Sequence, residues 1–317
     1  MNNIIDLNVD HNNVALRERG YGDADFDVEY QPLYTSPRNE FSNYNLVPNR
    51  IASVRVDTQN VLGIHSKNSW QGVNFKDGID RCRDIIINSG LADESIIEMI
   101  GVTSNSKQCI VTYILPNVLI NTPDGDQAQL MIVMVNSFNG VWAFSIRIGL
   151  RLMACFNGLI SNTDGLIYKS RHNRNLNLDH AVSVITKSLP ILYEETDLWR
   201  DWLNTKCSDQ DVLKIIGVAA DNNILISHTN YLTIPDVILN ADGVRRSKNV
   251  SHLWRAWTEY SRSLGANMWA MYNALTDWST HVESKKPGSI ISIRNRRENV
   301  VRKIIADPAL FLQKVAA

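Results

Sequence analysis

The apolar residues in the middle of the chain follow the pattern of three consecutive β-strands. The segments CIVTYILPNVLI, AQLMIVMVNSF and VWAFSIRIG lie between residues 109 and 149, with Asp124-Gly125 and Asn139-Gly140 between them. Such Gly dipeptides favour tight hairpins, because a type I′ turn needs positive φ at both central residues. The pattern predicts an antiparallel sheet whose last strand leads into the Arg-led segment LRLMACFNGLI, which we expect to be helical.

Four further elements are predicted ahead of these strands. The segments IASVRVD and VLGIHS alternate as two short strands. A helix over 74–89 is indicated by apolar residues at helical spacing, with Gly90 at the position after its last turn. Residues 95–103 are expected to form a strand that pairs with the strand over 108–120.

The C-terminal part of the chain has helical periodicity from Asp179 onward, with a kink or break predicted at Pro190. Ser208 and Ser251 are suited to begin helices, the second of them over about 252–281, and Asp307-Pro308 is suited to open a short final helix. The predicted fold class is therefore α+β: an antiparallel β-sheet (a β-β-β-α core) with a largely helical C-terminal half.

Polarity divides the chain into three predicted regions. Residues 1–48 are acidic and rich in Asn, which predicts an irregular N-terminal arm. Residues 49–175 form the predicted α+β core, and residues 176–317 a helical region packed on that core.

Charge is distributed unevenly although the chain as a whole has a net charge of −1. Residues 1–45 hold eight acidic residues against three arginines, whereas residues 281–317 hold eight Lys or Arg against three acidic residues. Residues 147–174 hold five basic residues against Asp164. Zones of this kind either steer an anionic partner or form ordinary solvated faces.

Composition excludes several classes of protein. Apolar residues make up 44% of the chain and charged residues 21%, as in a soluble globular protein. The four cysteines form no C-x-x-C pair, which favours free thiols in a reducing cytoplasm over a zinc or redox site. The chain starts without a secretion-signal pattern and has no apolar run of membrane-spanning length. We therefore expect a cytoplasmic protein without a membrane partner and without a cofactor.

The strongest candidate chemistry is a basic surface. Alternation along the third strand places Arg147 on the more polar face, and Arg151 follows close by. Guanidinium groups bind phosphate through paired hydrogen bonds. The alternative is a structural ion pair, for example with Asp164.

A second basic segment, YKSRHNR, follows at residues 168–174. Lys169, Arg171, His172 and Arg174 could contact phosphates without regard to sequence, and Tyr168 could stack on an unpaired base. The alternative is a solvated basic loop.

Catalytic arrangements are less well supported. Cys155 lies in an apolar run, which disfavours a nucleophilic thiol paired with His172. Asp77, Asp80 and Asp84 share one helix face and leave open a metal-dependent nuclease, although a solvated helix face is the favoured explanation for them. The chain has no phosphate-binding loop of the G-x-x-x-x-G-K-S/T type. The late tryptophans and tyrosine recur at helical spacing, which predicts a core: Trp254, Trp257, Trp269, Tyr272 and Trp278.

Three segments carry a resemblance to a known family: LMIVMVNSFNGVWAFSIRIGLRLMACFNGLI, YKSRHN and AMYNALTDWSTH. They resemble the phage/plasmid-like protein family of unknown function, over roughly residues 49–285. Four residues match its signature, with Gly158 in place of Thr: Arg151, Cys155, Asn157 and Leu159. His172 also matches, whereas the family's His at the hairpin turn is absent from the stretch Ser137-Phe138-Asn139-Gly140.

The strand order of this family is similar to that of phage single-strand annealing proteins of the RecT/Erf type. That likeness implies a non-catalytic protein that binds single-stranded DNA as a ring or filament of identical subunits. It would pair strands without ATP during recombination or replication, in the cytoplasm of the host cell. The alternatives are a structural or regulatory interaction protein and a metal-dependent nuclease.

Overall fold

The computed structural model describes residues 14–36, 44–103, 105–152, 158–159, 167–173, 178–220, 248–282 and 287–311. The strands are β1 (Val28–Thr35), β2 (Asn45–Arg55), β3 (Val61–Ser66), β4 (Ile97–Val102), β5 (Gln108–Asn121), β6 (Gln127–Ser137), β7 (Phe144–Leu152), β8 (Gly158–Leu159) and β9 (Ile167–Ser170). The α-helices are α1 (Val14–Arg17), α2 (Phe75–Asn88), α3 (Leu178–Asn204), α4 (Asp209–Ala220), α5 (Lys248–Leu264), α6 (Met268–Thr280) and α7 (Pro287–Ala306).

These elements form two antiparallel sheets, and the predicted α+β fold class is confirmed. One sheet has the order β1-β2-β3, and the other the order β4-β5-β6-β7-β8 with β9 also paired to β7. The chain divides into two compact units. The first comprises Met1–Val118, Leu130–Ile148 and Gly165–Leu189, and the second Leu119–Gln129, Gly149–Asp164 and Pro190–Ala317.

The first unit has its core where α2 packs against one face of the six-stranded sheet. The hydroxyl of Tyr113 donates to the carbonyl oxygen of Ile79 on α2 over 3.4 Å. A Cβ added at Gly78 would lie 3.0 Å from the sulfur of Met134, so the helix approaches the sheet closely at that turn. Alternation therefore directs the odd-numbered residues of β7, among them Arg147, to the opposite face.

The N-terminal region differs from its prediction as an irregular arm. Residues 28–35 form β1, which pairs with β2, and ion pairs link the N-terminal region to α2. Lys76 on α2 lies 2.6 Å from Asp27, and Arg17 lies 3.0 Å from Asp84. The prediction was wrong for these residues because strand pairing and ion pairs, neither visible locally, outweigh their polar composition.

Of the two turns predicted at Gly dipeptides, the one at Asp124-Gly125 is confirmed and the one at Asn139-Gly140 has a different geometry. Gly125 has φ 89° and its N–H donates to Thr122, so the β5–β6 turn is confirmed. At the β6–β7 connection only Gly140 of the pair has positive φ, at 71°. The side chain of Asn139 instead accepts from the N–H of Val141, so this connection is not the predicted type I′ turn.

The segment after β7 also differs from the expectation of a helix. Arg151 and Leu152 still belong to β7, and the two residues of β8 pair back to it, with Arg151 opposite Gly158. Residues 153–157 and 160–166 lie outside the described residues. The β-structure therefore extends beyond the point where we expected a helix to begin: β7 includes Arg151 and Leu152, and β8 adds a short strand.

The helical half was predicted in outline and differs at its boundaries. Helix α3 continues through Pro190, where we had predicted a kink or break. The predicted capping of α4 by Ser208 is confirmed, since the N–H of Asp211 donates to the hydroxyl of Ser208 over 3.3 Å. The single helix predicted over 252–281 is two helices, because Gly265 adopts φ 85° and the side chain of Asn267 caps α6 by accepting from Ala270. Asp307 begins a turn rather than the predicted helix within the described residues.

Aromatic side chains make the core of the second unit, as predicted for the late cluster. Trp269, Tyr272 and Trp278 are buried, and the rings of Trp269 and Tyr272 stack with their centroids 5.4 Å apart. Trp199 and Trp202 on α3 join them. Within the described residues, no helix is both long enough and apolar enough to span a membrane.

Candidate nucleic-acid interface

The basic segment predicted from the sequence begins on strand β9, at the edge of the six-stranded sheet next to β7. This strand pairs antiparallel with β7, so that Lys169 lies opposite Ser145 and Tyr168 opposite Ile146. Residues opposite each other share a face of the sheet. Lys169 therefore shares a face with Arg147, away from α2, as the alternation along the third predicted strand required.

Tyr168 lies on the other face and is buried at 6% exposure. Its ring packs edge-on against Phe144 with centroids 6.3 Å apart. The side chain thus belongs to the core beside α2. Its predicted role as a stacking platform for a base is not supported by this position, and we remove it from the candidate surface.

His172 is also buried, in an aromatic stack next to the three-stranded sheet. The ring of His65 stacks on Trp70 with centroids 3.6 Å apart, and His172 lies on Trp70 at 4.7 Å. The second ring nitrogen (Nε2) of His65 lies 3.0 Å from the hydroxyl of Ser53. Burial, and next the charge of His172, lower the pKa of His65 to about 4. Burial likewise lowers the pKa of His172, so both rings are neutral at pH 7 and neither contributes a cation.

A backbone hydrogen bond brings a second basic segment to the end of β9. The N–H of Gln71 donates to the carbonyl oxygen of His172 over 3.2 Å. The same connection carries Lys67, whose N–H donates to the carbonyl of Asn49 over 3.0 Å. Arg50 comes next on β2, opposite Ser66. Two segments more than 100 residues apart in the chain are thereby joined.

Four cations lie on these joined segments, and we refer to them as the basic strip: Arg50, Lys67, Lys169 and Arg171. All four are exposed. Among the described residues, none has a carboxylate within the 4.0 Å of a salt bridge. Elsewhere in this unit acidic side chains do have such partners, for example Asp57 with Arg55 at 2.7 Å. Within the described part of the chain, the positive charge of the strip is therefore not paired with a carboxylate.

The remaining predicted basic residues lie elsewhere. Arg147 is only partly exposed and lies opposite Ile167, on the same sheet face as Lys169. Arg151 belongs to the second unit and is also only partly exposed. Arg174 lies outside the described residues, as does Asp164, the partner considered for an ion pair.

Arg50 and Lys67 were missed by the sequence analysis. Each stands alone in a strand or turn without a basic neighbour, and only the backbone pairing of β2, β3 and the segment after β9 connects them to Arg171. A local charge pattern contains no signal for this connection.

The residues considered for the catalytic alternatives lie partly within the described part of the chain. No group of three His, Cys, Asp or Glu side chains is placed there to hold a metal ion. Of the aspartates on α2, Asp80 accepts from the hydroxyl of Tyr21 over 2.8 Å, and Asp84 pairs with Arg17. Burial raises the pKa of the Cys109 thiol to about 12, which makes it a poor nucleophile. Cys155 lies outside the described residues.

Comparison with known proteins identifies a family and goes no further. Residues 61–304 match the family described as a domain of unknown function, DUF932. The match covers most of the chain, and the chain belongs to this family. No curated protein and no solved structure matches it. The resemblance to a family without assigned activity is thus confirmed, and the match carries no information on phage or plasmid origin or on annealing proteins.

Proposed function

We propose that this chain binds single-stranded nucleic acid along the basic strip and acts without catalysis. The hydrogen bond between Gln71 and His172 supports this proposal most strongly, because it joins the two segments that carry the four exposed cations. Phosphate groups along a flexible strand are the natural counter-charges for such a surface.

Contacts of this kind give affinity that depends on salt and not on sequence. Each phosphate contact adds about 0.7 to the slope of log affinity against log salt for a single strand. Four contacts predict a slope of about −2.8, so affinity would fall about 50-fold between roughly 50 and 200 mM salt. Arg50 and Arg171 would hold phosphates through paired donors, and Lys67 and Lys169 as point charges.

The wider role that we propose is strand annealing during recombination or replication of a phage or plasmid, by an assembly of identical subunits. The resemblance of the central strands to annealing proteins of the RecT/Erf type supports this role by analogy. It predicts that the protein accelerates the pairing of complementary oligonucleotides without ATP, and that it sediments as a multimer.

Fluorescence anisotropy of a labelled oligo-dT of about 30 nucleotides tests the binding function, since sites of this type cover several to tens of nucleotides. We expect saturable binding that weakens steeply with salt and is unchanged by EDTA. Cleavage of the probe in the presence of a divalent metal would instead support the nuclease alternative. A failure to bind at low salt would overturn the proposal and leave an interaction protein.

A further inference from the structure

Beyond the last β2–β3 pair, Arg50 with Ser66, strands β1 and β2 continue as a two-stranded ribbon. Tyr34 lies opposite Leu46 on this ribbon, and Tyr44 directly precedes β2. The three side chains are 55%, 56% and 65% exposed, in that order. We refer to Tyr34, Tyr44 and Leu46 as the tyrosine ribbon. Large apolar side chains grouped in this way mark a binding surface more often than isolated ones do.

The charge around the tyrosine ribbon favours an anionic occupant. The described residues 33–36 and 44–50 hold no acidic side chain, and Arg50 of the basic strip is their one charged residue. Lys67 is bonded through its N–H to Asn49 at the base of the ribbon. Aromatic side chains next to uncompensated cations are the combination with which proteins hold unpaired bases and the adjoining phosphates.

The backbone of β1 opposes the alternative occupant, a second copy of the chain added strand to strand. Pro32 lies in β1, the edge strand, and lacks the N–H that an added strand would need. The register also shifts between Pro32 and Tyr34. Prolines and bulges are features that protect edge strands from pairing with another chain.

We propose that Tyr34 and Tyr44 stack on unpaired bases of the strand whose phosphates occupy the basic strip. This inference rests on the proposed function and deepens it, because stacking makes the site selective for single strands over duplexes. Leu46 lies opposite Tyr34 on the neighbouring strand.

The test measures the affinity of the double variant Tyr34→Ala/Tyr44→Ala for labelled oligo-dT. We expect binding at least about tenfold weaker than that of the unchanged protein, since stacking on one base typically contributes a tenfold effect or more. The salt slope should stay the same, because no phosphate contact is removed. Tyr34→Phe/Tyr44→Phe keeps both rings and should bind within about twofold of the unchanged protein.

Two controls separate stacking from a structural effect. Val61→Ala/Ile64→Ala removes exposed apolar side chains from the same sheet and should leave affinity unchanged. On a probe made of abasic nucleotides, which offers phosphates without bases, the Tyr→Ala penalty should disappear.

The outcomes distinguish this inference from the function on which it rests. If the unchanged protein does not bind oligo-dT, the proposed function itself fails. If it binds, and Tyr34→Ala/Tyr44→Ala binds equally well, the stacking inference alone is overturned. A loss of multimers in the double variant, measured by sedimentation, would also overturn it and assign the ribbon to self-association.

Discussion

The N–H of Gln71 and the carbonyl oxygen of His172 lie 3.2 Å apart and join the connection after β3 to the end of β9. This bond fixes Arg171 beside a segment that begins with Lys67. Because backbone groups make the link, substitution of the flanking side chains should leave it in place. Surface charges on these segments can therefore be changed one pair at a time without loss of the fold.

Acid should destabilise the first unit through its buried histidines. The pKa of His65 is near 4 in the folded chain and near 6.5 when unfolded, so the unfolded chain binds more protons between these values. Stability is therefore highest above about pH 6.5 and falls as the pH decreases toward 4. His65 should contribute a loss of up to about 2 kcal/mol between pH 6.5 and pH 5.

Urea unfolding of the unchanged protein and of His65→Gln at these two pH values checks this prediction. The Gln side chain can still bond to Ser53 but does not titrate, so the variant should lose less stability on acidification. Equal losses in the two proteins would show that His65 is not responsible.

A methyl group at Gly63 should disrupt the contact between β3 and the β6–β7 connection. A Cβ there would lie 2.1 Å from the carbonyl oxygen of Phe138 and 2.7 Å from a ring carbon of His65. We expect Gly63→Ala to reduce the free energy of unfolding by about 2 kcal/mol or more, because backbone must move. Gly20→Ala is the matched control, since a Cβ at Gly20 meets nothing within 4 Å. Equal denaturation midpoints for the two variants would contradict the close approach.

Removing one partner of the ion pair between Arg83 and Glu98 should lower the stability strongly, whereas replacing both with apolar residues should lower it little. Two guanidinium nitrogens of Arg83 each lie 2.9 Å from a carboxylate oxygen of Glu98, and both side chains are buried. Removal of Glu98 leaves the buried guanidinium with only its longer contact to the half-exposed Asp80, at 3.5 Å, among the described carboxylates, so Glu98→Leu should lower stability by about 3–5 kcal/mol. The double variant Arg83→Met/Glu98→Leu should recover most of that loss. Additive losses in a thermodynamic cycle would show that the two side chains are not coupled.

The sequence was sufficient for elements whose pattern is local. Strands β5 and β6 alternate over eleven or more residues each, and α2 repeats its apolar residues at helical spacing, so these three elements were placed to within one residue at each end. Strand β7 was also predicted, but it begins and ends three residues later than expected. The break between α5 and α6 was missed, although Gly265 followed by a capping Asn267 is a signal that the chain carries.

Other features depend on pairing between distant segments. Residues 28–35 look irregular by composition, because they include Pro32 and follow an acidic stretch. They form a strand because they pair with β2. The basic strip needs the hydrogen bond from Gln71 to His172 to bring Lys67 next to Arg171. Tyr168 was assigned to the surface because its neighbours are basic, whereas the register opposite Ile146 turns it into the core.

Charge reversal within the basic strip tests the central claim most directly. The variant Lys169→Glu/Arg171→Glu is compared with Lys214→Glu/Arg255→Glu, which makes the same change in net charge at exposed helical positions of the second unit. Anisotropy with oligo-dT is measured over a series of salt concentrations. Loss of two phosphate contacts should weaken binding at least about tenfold at low salt and reduce the salt slope by about 1.4, whereas the control should keep the original slope. Equal slopes and affinities for both variants would contradict the assignment of the strip as the nucleic-acid interface.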